Sequence, residues 1–441
     1  MLFLSIDVGT SAVKLCVVDH DRRVLAAGTA AYPYILLPGE KVEIDPEVLF
    51  ASIYRAATLL PEDLRRAIDI VCYDTFSPSP VFLREDGGFA YPNVITHLDR
   101  RSRDQSRRVD DVVGKDRYLE VAGIYPFTGG AGLMTVLWMQ EHEPGCLDET
   151  ARIGHLSTFV HHRLTGRWTV DLVNASMLGV YETTTQAGWS VELLDAFALR
   201  PEWFGEIHDP GTLLGTLTAA EAGRLGVPAG VPVAVGTNDM ASAQVGAGNT
   251  TSGSIMNTAG SSDMVSILTD VPAPDPRYYL RNAALPGLWQ IYATTAGGFA
   301  LDWFHREFCR EMSIQTFYEE YLPECLARYP EVEEVAFDPY LTGDRQSLER
   351  RTGAWRGLTL AATREEMLVT VLRAMNRVLY EVIRGAASLV EVDRVIKLTG
   401  GLSGPAFVRL KEAEMPGFTF EVVDDCPVLG NVALAQRHLD G

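Results

Sequence analysis

Short apolar segments separated by small polar residues fill the start of the chain. Residues 2–8 and 12–19 form two apolar runs with Gly9-Thr10-Ser11 between them, and a third run covers residues 23–34. Runs of this length bounded by such residues predict antiparallel strands joined by tight turns. Helical spacing then predicts a helix over residues 46–60, and residues 67–72 predict a return to strand.

The middle of the chain changes from strands to helices. Two strand-like runs, residues 78–84 and 90–96, flank Glu85-Asp86-Gly87-Gly88 and predict a hairpin. Helical patterns dominate from residue 102 to about residue 225. A short strand at residues 231–235 and a helix at residues 240–245 are predicted on either side of Gly236-Thr237-Asn238-Asp239.

The second half of the chain repeats the opening pattern. Strands are predicted at residues 254–258 and 263–268, and a third at 392–399 leads into Gly400-Gly401 and a helix from residue 405. This recurrence is a weak internal duplication. Single hydrophobic cores stop growing at roughly 250–300 residues. The chain has 441 residues, which predicts two domains, and we place them at residues 1–246 and 247–441.

Charge and cysteine content narrow the range of partners. The net charge is −20 and the isoelectric point is about 4.9, so the chain repels nucleic acid and anionic membranes at long range. ATP is repelled as well, and a phosphate site has to be built locally from backbone N–H groups and Mg²⁺. The six cysteines have no zinc-ligand spacing, and no apolar run is long enough to span a bilayer. We therefore expect a soluble cytoplasmic protein with buried, inert thiols and no nucleic-acid or membrane partner.

Two turns carry the chemistry of a phosphate site. A strand-to-strand turn rich in Gly, Thr and Ser presents several N–H groups and hydroxyls together, which suits phosphate oxygens. Thr10 and Ser11 lie in the first such turn, and Gly260 and Ser261 lie in the second, one at the head of each half. Asp7, at the end of the strand before the first turn, can hold Mg²⁺ through water. The alternative for each turn is an ordinary hairpin, but a triphosphate held between two domains needs donors from both sides.

Two further elements complete the candidate site. Asp239 stands between a predicted strand and a predicted helix, and its alternative role is to cap that helix. Phosphoryl transfer needs a group that accepts the proton of the attacking hydroxyl, and a rigid carboxylate in a water-poor cleft suits that task. Gly400 and Gly401 follow a strand and let a flat ring approach the backbone. No GxxxxGK[ST] segment is present, which excludes a P-loop fold.

Taken together, these segments resemble the FGGY family of carbohydrate kinases, which includes xylulose, gluconate, ribulose and glycerol kinases. The resemblance implies an α/β fold of two ribonuclease-H-like (actin-like ATPase) domains with the active site in the cleft between them. It also implies ATP and Mg²⁺ as cofactors. The resemblance covers essentially the whole chain in order, and its segments are DVGTSAVK, Thr165-Gly166-Arg167, Asn174-Ala175-Ser176, Trp189, GVPAGVPVAVGTNDMASAQVGAG, NTAGSS, AGGFALDWF, FDPYLTGDRQSLERRTGAWRGLTL and KLTGGLSGPAF.

The resemblance also implies roles for individual residues. Asp7 would be the metal-associated carboxylate, and Asp239 would be the catalytic base. Lys14 sits where family members carry a basic residue that is placed to touch phosphate. Phosphate contacts would come from both turns, and a glycine pair would lie against the adenosine. The nucleotide-binding residues implied in this way are Thr10, Ser11, Lys14, Gly260, Ser261, Gly400 and Gly401.

The sugar-binding side departs from the family pattern. Xylulose kinases carry Met-His-Gly where this chain reads Thr75-Phe76-Ser77-Pro78-Ser79. The family's Trp-x-Asp-x-Arg has His97 in place of the Trp, whereas Asp99 is kept. The alternative for His97 is a packed or surface histidine. We expect one sugar pocket lined by Ser77, His97, Asp99 and Asp239.

The sequence therefore predicts transfer of the γ-phosphoryl of ATP to a hydroxyl of a ketose, polyol or sugar acid, with xylulose as the first candidate. The alternative is an actin-like nucleotide-binding sensor or assembly protein without sugar kinase activity. Such a protein would need neither the sugar-side segment at residues 73–101 nor Asp239. The sequence does not fix the oligomeric state, and a homodimer remains an open expectation.

Overall fold

The computed structural model describes residues 1–127, 129–329, 332, 334–341, 343 and 351–439. In the first half the strands are β1 (Leu2–Val8), β2 (Ala12–Asp19), β3 (Val24–Ala31), β4 (Ile35–Leu37), β5 (Lys41–Ile44), β6 (Ile70–Thr75), β7 (Pro80–Leu83), β8 (Val94–Ile95), β9 (Arg152–His155), β10 (Val170–Asp171), β11 (Ile207–His208), β12 (Leu213–Thr216), β13 (Pro232–Ala234) and β14 (Thr237–Asn238). The helices of this half are α1 (Pro46–Thr58), α2 (Glu62–Arg66), α3 (Arg103–Val112), α4 (Lys115–Ala122), α5 (Gly132–His142), α6 (Pro144–Glu149), α7 (Leu156–Thr165), α8 (Leu172–Leu178), α9 (Val191–Ala196), α10 (Ala219–Leu225) and α11 (Asp239–Gly246).

The second half is built from fewer and longer elements. Its strands are β15 (Ile255–Ala259), β16 (Asp263–Thr269), β17 (Tyr279–Asn282), β18 (Trp289–Thr295), β19 (Ala336–Asp338), β20 (Ala354–Arg356), β21 (Val395–Thr399) and β22 (Thr419–Val422). Its helices are α12 (Gly297–Phe308), α13 (Ile314–Thr316), α14 (Leu322–Arg328), α15 (Arg364–Ala386), α16 (Pro405–Glu414) and α17 (Cys426–Arg437).

The two halves contain sheets that share a core of five strands, in which β3-β2-β1-β6-β13 correspond to β18-β16-β15-β21-β22. In the first half the order is β12-β13-β6-β1-β2-β3, with β14 also pairing with β6. In the second half the order is β17-β18-β16-β15-β21-β22. Each sheet starts with an antiparallel hairpin, β1–β2 or β15–β16, and places a later strand, β6 or β21, parallel to the first one. The internal duplication predicted from the recurring turns is therefore confirmed.

Helix α1 shows why its segment folds as the apolar spacing predicts. The Asp45 carboxylate accepts hydrogen bonds from the N–H groups of Glu47 at 2.8 Å and Val48 at 3.2 Å, which caps the first turn. Pro46 occupies the first helical position, where its missing N–H costs nothing. The apolar positions then recur every three or four residues, and the side chains of Leu49 and Ile53 are buried against the first sheet.

One local prediction is wrong in its extent. The turn at residues 85–88 does reverse the chain, because the N–H of Arg84 donates to the carbonyl of Gly88 at 2.7 Å. The hairpin nevertheless ends after a single bridge between Leu83 and Phe89. Strand β7 pairs with β9 instead, and β8 pairs with β5. Neighbouring segments with better apolar faces thus displace the local partner, which is a tertiary effect that local spacing does not contain.

Two helices, α11 and α17, pack against each other between the two sheets. They approach so closely that a Cβ on Gly246 would lie 1.8 Å from the carbonyl of Cys426, and one on Gly430 would lie 1.8 Å from the carbonyl of Ser242. Helix α17 also packs on β1, where the Ser5 hydroxyl donates to the carbonyl of Val428 at 3.0 Å. The last helix of the chain therefore lies against the first strand, beside the site described below.

The six cysteines are unpaired, and all but Cys146 are buried. Burial raises the pKa of Cys16 and Cys426 to about 11, which keeps them as thiols. Among the helices that the structure describes, none is long and apolar enough to cross a membrane. Part of one segment of the family resemblance, residues 342 and 344–350, lies outside the described residues.

Candidate active site

Three carboxylates meet at one edge of the first sheet. Asp7 on β1 and Asp74 on β6 are direct neighbours in the parallel register, and Thr237 on β14 is the next neighbour of Asp74. Asp239 follows two residues later, as the first residue of α11. The carboxyl ends of parallel strands meet at one edge of a sheet, which is where open α/β sheets bind ligands. We call Asp7, Asp74 and Asp239 the acidic edge.

Asp74 is the most enclosed member of the acidic edge. Its side chain is fully buried, and its Oδ2 accepts from Nδ2 of Asn431 on α17 at 2.5 Å. Its Oδ1 is buried without a donor among the residues that the structure describes. Burial, together with the charges of Asp7 and Asp239, raises the pKa of Asp74 well above its usual range. A protonated Asp74 that donates to the Asp7 carboxylate satisfies both groups, since a carboxylic acid has one O–H donor.

Asp239 is held by the start of helix α11. The helix is capped by Asn238, whose Oδ1 accepts from the N–H groups of Met240 at 3.1 Å and Ala241 at 3.3 Å. Oδ1 of Asp239 accepts from the Met240 N–H at 2.7 Å and from Nδ2 of Asn238 at 2.9 Å. The capping role is therefore filled by Asn238. Burial, followed by the charge of Asp7, raises the pKa of Asp239 to about 7, which suits a proton acceptor near neutral pH.

The first predicted phosphate turn projects from the acidic edge. Thr10 and Ser11 are exposed between β1 and β2, and the carbonyl of Gly9 accepts from the Tyr32 hydroxyl. Lys14 on β2 forms an ion pair with Asp425, which directly precedes α17. Burial lowers the pKa of Lys14, but the hydrogen bond to Asp425 and the nearby negative charges together outweigh burial, and the pKa is raised. A contact of Lys14 with phosphate remains a prediction.

The second predicted phosphate turn packs directly on the glycine pair. Gly400 has φ of 103°, and a Cβ there would lie 2.5 Å from the carbonyl of Ala259 and 3.2 Å from the nitrogen of Gly260. The N–H of Leu402 donates to the same Ala259 carbonyl at 2.8 Å. A Cβ on Gly401, by contrast, would meet nothing within 4 Å, so this backbone is open to a ligand. We call the strand ends at Thr258 and Thr399, together with the turns at residues 260–262 and 400–404, the neutral edge.

The acidic edge and the neutral edge meet at α11. The hydroxyl of Thr258, at the end of β15, donates to the sulfur of Met240 at 3.6 Å, and Met240 follows Asp239. Thr258 pairs in parallel register with Thr399 on β21, as Asp7 pairs with Asp74 on the other side. The structure therefore brings Asp7, Asp239 and the second phosphate turn into one region.

Ser77 is connected to the acidic edge through a buried hydrogen-bond network. Its hydroxyl donates to Oδ1 of Asn174 at 2.6 Å, and Nδ2 of Asn174 donates to Oδ2 of Asp171 at 2.5 Å. The Thr237 hydroxyl donates to the other oxygen of Asp171 at 2.8 Å. Burial raises the pKa of Asp171 to about 6. The network fixes both Ser77 and the strand that leads to Asp239.

The other two predicted sugar contacts have different surroundings. His97 is partly buried, its ring packs edge-on against Phe76 at 5.9 Å between centroids, and Phe76 precedes Ser77. Asp99 is buried, and its carboxylate accepts from Nη2 of Arg101 at 2.7 Å and from the Val42 N–H at 2.8 Å. His97 thus lies next to Ser77, whereas Asp99 is part of an ion network at the base of that loop. Substrate contacts of all three remain predictions.

Sequence reasoning missed three residues of this region. Asp74 ends an otherwise apolar strand in the same way as Asp7, so the rule that selected Asp7 would have found it. Asn431 lies 357 residues from its partner Asp74 in the sequence, and no local sequence pattern connects the two. Arg281 sits in an edge strand that the pattern of residues does not distinguish.

Both the sequence and the fold match known proteins. Residues 2–246 match the sequence profile described as the FGGY family of carbohydrate kinases, N-terminal domain. A xylulose kinase of Staphylococcus epidermidis is 24% identical over 423 residues, which cover 92% of this chain and 82% of that protein. Ligand-bound xylulose kinase from Lactobacillus acidophilus superposes with a TM-score of 0.88 at 20% identity, over 100% of this chain and 89% of that one. Gluconate kinase from the same organism superposes with a TM-score of 0.89 at 20% identity, over 100% of this chain and 90% of that one.

Two related sheets, a carboxylate-lined strand edge and glycine-rich turns define the protein as an actin-like phosphotransferase. The match of the family profile over more than half of the chain makes it a member of the FGGY family of carbohydrate kinases. The predicted fold class and the prediction of an ATP-dependent carbohydrate kinase are confirmed. The alternative, a sensor or assembly protein of actin-like fold, is not favoured.

Proposed function

We propose that Asp239 is the general base that accepts the proton of the acceptor hydroxyl while its oxygen attacks the γ-phosphorus of ATP. The observation that carries this proposal is the position of Asp239 at the start of α11 with a pKa raised to about 7. A carboxyl group with that pKa is ionised in about half of the molecules at neutral pH, and it holds a transferred proton well. Its second oxygen is left to the acceptor, because the two hydrogen bonds to Met240 and Asn238 both use Oδ1.

Mg²⁺ fits the donor set of the acidic edge. No group of three metal-ligating side chains is preformed among the described residues, and Mg²⁺ in kinases is bound by one or two carboxylates, water and the phosphates themselves. Asp7 is the carboxylate that would hold it, since burial raises the pKa of Asp74 and favours its neutral form, and Asp239 serves the acceptor. The ion would neutralise charge on the β- and γ-phosphate oxygens.

The nucleotide is proposed to bind between the two turns. Thr10 and Ser11 would contact phosphate from the first half, and Gly260 and Ser261 from the second. The exposure of Gly401 leaves room for the adenosine beside Gly400. The domain boundary near residue 246 is part of the same proposal, because a cleft between two units can close on ATP and sugar together.

The acceptor is proposed to be a ketose, polyol or sugar acid bound beside Ser77 and His97, with Asp99 supporting the loop. The names of the related proteins make xylulose and gluconate the first compounds to test. Their low identity to this chain, however, leaves the choice to the pocket itself. A homodimer and a cytoplasmic location remain proposals, since the family does not decide either.

The proposed function is tested by ADP release across a panel of ketoses, alditols and aldonates in the presence of ATP and Mg²⁺. The expected result is release stimulated by at least one acceptor, with one phosphorylated acceptor formed for each ADP. Hydrolysis of ATP that no acceptor stimulates, accompanied by filament formation, would contradict the kinase and favour the actin-like alternative.

A further inference from the structure

A buried arginine from the second half lies next to the acceptor side of the acidic edge. Arg281 on β17 is only 8% exposed, and its guanidinium carbon lies 4.6 Å from the ring centre of Tyr292 and 5.5 Å from that of Tyr279. Burial lowers the pKa of Arg281, whereas the two tyrosines and the carboxylate of Asp239 raise it. An arginine side chain stays charged even so, because its ordinary pKa lies above 12.

No ion pair joins Arg281 to a carboxylate in the part of the chain that the structure describes. This distinguishes it from the other buried cations. The Arg101 side chain is enclosed between Glu43 and Asp99, and Lys411 lies 2.7 Å from Asp263. A buried charge without a counter-ion in direct contact is costly, and Asp239 acts on Arg281 only through its longer-range charge. Aromatic faces offset only part of that cost, since a cation–π contact contributes roughly 0.5–2 kcal/mol.

Arg281 lies closer to the elements of the proposed acceptor site than to the proposed nucleotide-binding turns. Strand β17 lies at the far edge of its sheet, three strands away from β15 and its phosphate turn. Its backbone instead joins the first half, because the Leu280 N–H donates to the carbonyl of Gly123 at 2.8 Å and the Asn282 N–H donates to the hydroxyl of Ser176 at 3.3 Å. Ser176 is on α8, the helix that carries the Asn174 partner of Ser77.

The loop next to His97 also reaches this arginine. The rings of Phe127 and Tyr279 stack with centroids 5.3 Å apart, and Tyr279 shares one face of β17 with Arg281. Two residues after Phe127, a Cβ on Gly129 would lie 2.5 Å from the carbonyl of His97. Arg281 is therefore linked through packed neighbours to the segment of His97, and through its charge to Asp239.

We propose that Arg281 binds a carboxylate on the acceptor, so that the preferred substrate of this kinase is a sugar acid. This inference rests on the proposed function and narrows its acceptor class. The planar guanidinium matches a carboxylate with two parallel hydrogen bonds. A phosphate monoester fits less well, because it brings about two negative charges to a single cation with Asp239 nearby. A neutral sugar offers hydroxyl oxygens that accept hydrogen bonds, but it brings no negative charge to balance that of the arginine.

The test compares aldonates with the alditols of the same carbon skeleton, for example gluconate with sorbitol and xylonate with xylitol. The full-length protein should show kcat/KM at least about tenfold higher for an aldonate, since a buried partner left unpaired discriminates strongly. The Arg281→Gln variant should lose roughly a hundredfold in kcat/KM for the aldonate, because charge pairs of this kind are strong. Its loss in kcat/KM for the alditol should be at least about tenfold smaller, since the alditol loses only the effect of the Arg281 charge on the pKa of Asp239.

The matched control is Arg277→Gln. Arg277 is four residues away, and its side chain is exposed at the surface beside Asp275. Loss of the Arg277 charge should leave kcat/KM for both aldonates and alditols unchanged. If Arg281→Gln fails to fold, Arg281→Lys keeps the charge without the planar pair, and it should retain the aldonate preference at roughly a tenth of the rate. Equal losses for aldonate and alditol in either variant would overturn the proposal and give Arg281 a role in phosphoryl transfer or in folding alone.

Calorimetric binding of the aldonate separates this inference from the kinase proposal. Aldonate binding that depends on Arg281, without ADP release from any acceptor, would overturn the proposed kinase reaction and keep the carboxylate site. ADP release with an alditol or ketose preferred over every aldonate would overturn the carboxylate site and keep the kinase.

Discussion

The acidic edge and the neutral edge occupy equivalent places in two sheets that share a five-strand core, yet they carry opposite chemistry. In the first sheet the paired residues at the strand ends are Asp7 and Asp74, and in the second sheet they are Thr258 and Thr399. Carboxylates suit a cation and a proton, whereas hydroxyls and exposed N–H groups suit an anion. Under the proposed function, the same backbone arrangement would supply both the group that activates the acceptor and the turns that bind the phosphates.

Both edges are supported from behind by polar contacts to later helices. Asp74 is supported by Asn431 of α17, which reaches across from the end of the chain. Behind the neutral edge, the buried ion pair of Lys411 with Asp263 is joined by Asn376, whose Oδ1 accepts from the lysine at 3.1 Å. In both cases a polar group near the strand end is satisfied by a helix that comes much later in the sequence.

Removing the charge of Asp7 should give the largest effect among the tests of this comparison. Asp7→Asn is expected to lower kcat by about a hundredfold or more, because metal stabilisation of the transferred phosphoryl group is worth several kcal/mol. The measurement is ADP release at saturating ATP, acceptor and Mg²⁺.

Asp74→Asn is the matched control for Asp7→Asn. An amide mimics the protonated carboxyl group that the burial of Asp74 favours, so kcat should stay within about threefold of the original protein. Equal losses in the two variants would show that both carboxylates act in the ionised form.

Adding a carboxylate to the neutral edge should be the next largest change. Thr258→Asp is expected to raise KM for ATP by roughly tenfold to a hundredfold, since two like charges about 4 Å apart repel by about 1–4 kcal/mol. Thr258→Asn is the control, because Asn has the size and shape of Asp without its charge. If both variants raise KM equally, the effect is steric and the neutrality of this edge has no role.

Gly400→Ala tests the contact between the two turns of the neutral edge. Its φ of 103° and the 2.5 Å approach of a Cβ to the Ala259 carbonyl should lower the free energy of unfolding by about 1–3 kcal/mol. Gly401→Ala, where the Cβ meets nothing, should be close to neutral for stability. Thermal or denaturant unfolding of the two variants, side by side, measures the difference, and equal stabilities would contradict the packing described for this edge.

The pH dependence is the finest test of the acidic edge. With its pKa raised to about 7, Asp239 must lose a proton to act as base, so kcat/KM should fall about tenfold per pH unit below neutrality. The folded state binds this proton more tightly than the unfolded chain, so stability decreases as the pH rises from about 4 to 7. Asp239→Asn should remove that part of the decrease. A flat rate profile from pH 5 to 8 would assign the base to another group.

Much of this architecture could be predicted from the sequence, because the turns and apolar runs are local signals. Gly9-Thr10-Ser11 and the turn after Ala259 each lie between two apolar runs, and the structure places β1–β2 and β15–β16 around them. Asp239 is predicted because its segment resembles that of a known family. The same segment predicts a helix directly after Asp239, and the structure places Asp239 as the first residue of α11.

The parts that escaped prediction depend on long-range packing. Asn431 and Arg281 acquire their significance from neighbours far away in the chain, and only the folded sheets bring them to Asp74 and Asp239. The predicted hairpin after β7 is wrong in its extent for the same reason. Strand β7 pairs with β9, which is distant in sequence, and the local turn carries no signal for that pairing. Asp74 is the exception, because its strand shows the same apolar run ending in a carboxylate as β1.

The most direct test of the division between the two edges is a single-turnover experiment with Asp239→Asn, with ATP bound before the acceptor is added. Transfer of the γ-phosphoryl group should slow by about 10²–10⁴-fold, the usual contribution of a general base, while the dissociation constant for ATP stays within about threefold of the original value. The exposed Asp195→Asn, on α9, should change neither quantity. Transfer at the original rate by Asp239→Asn, or loss of ATP binding together with transfer, would contradict the account.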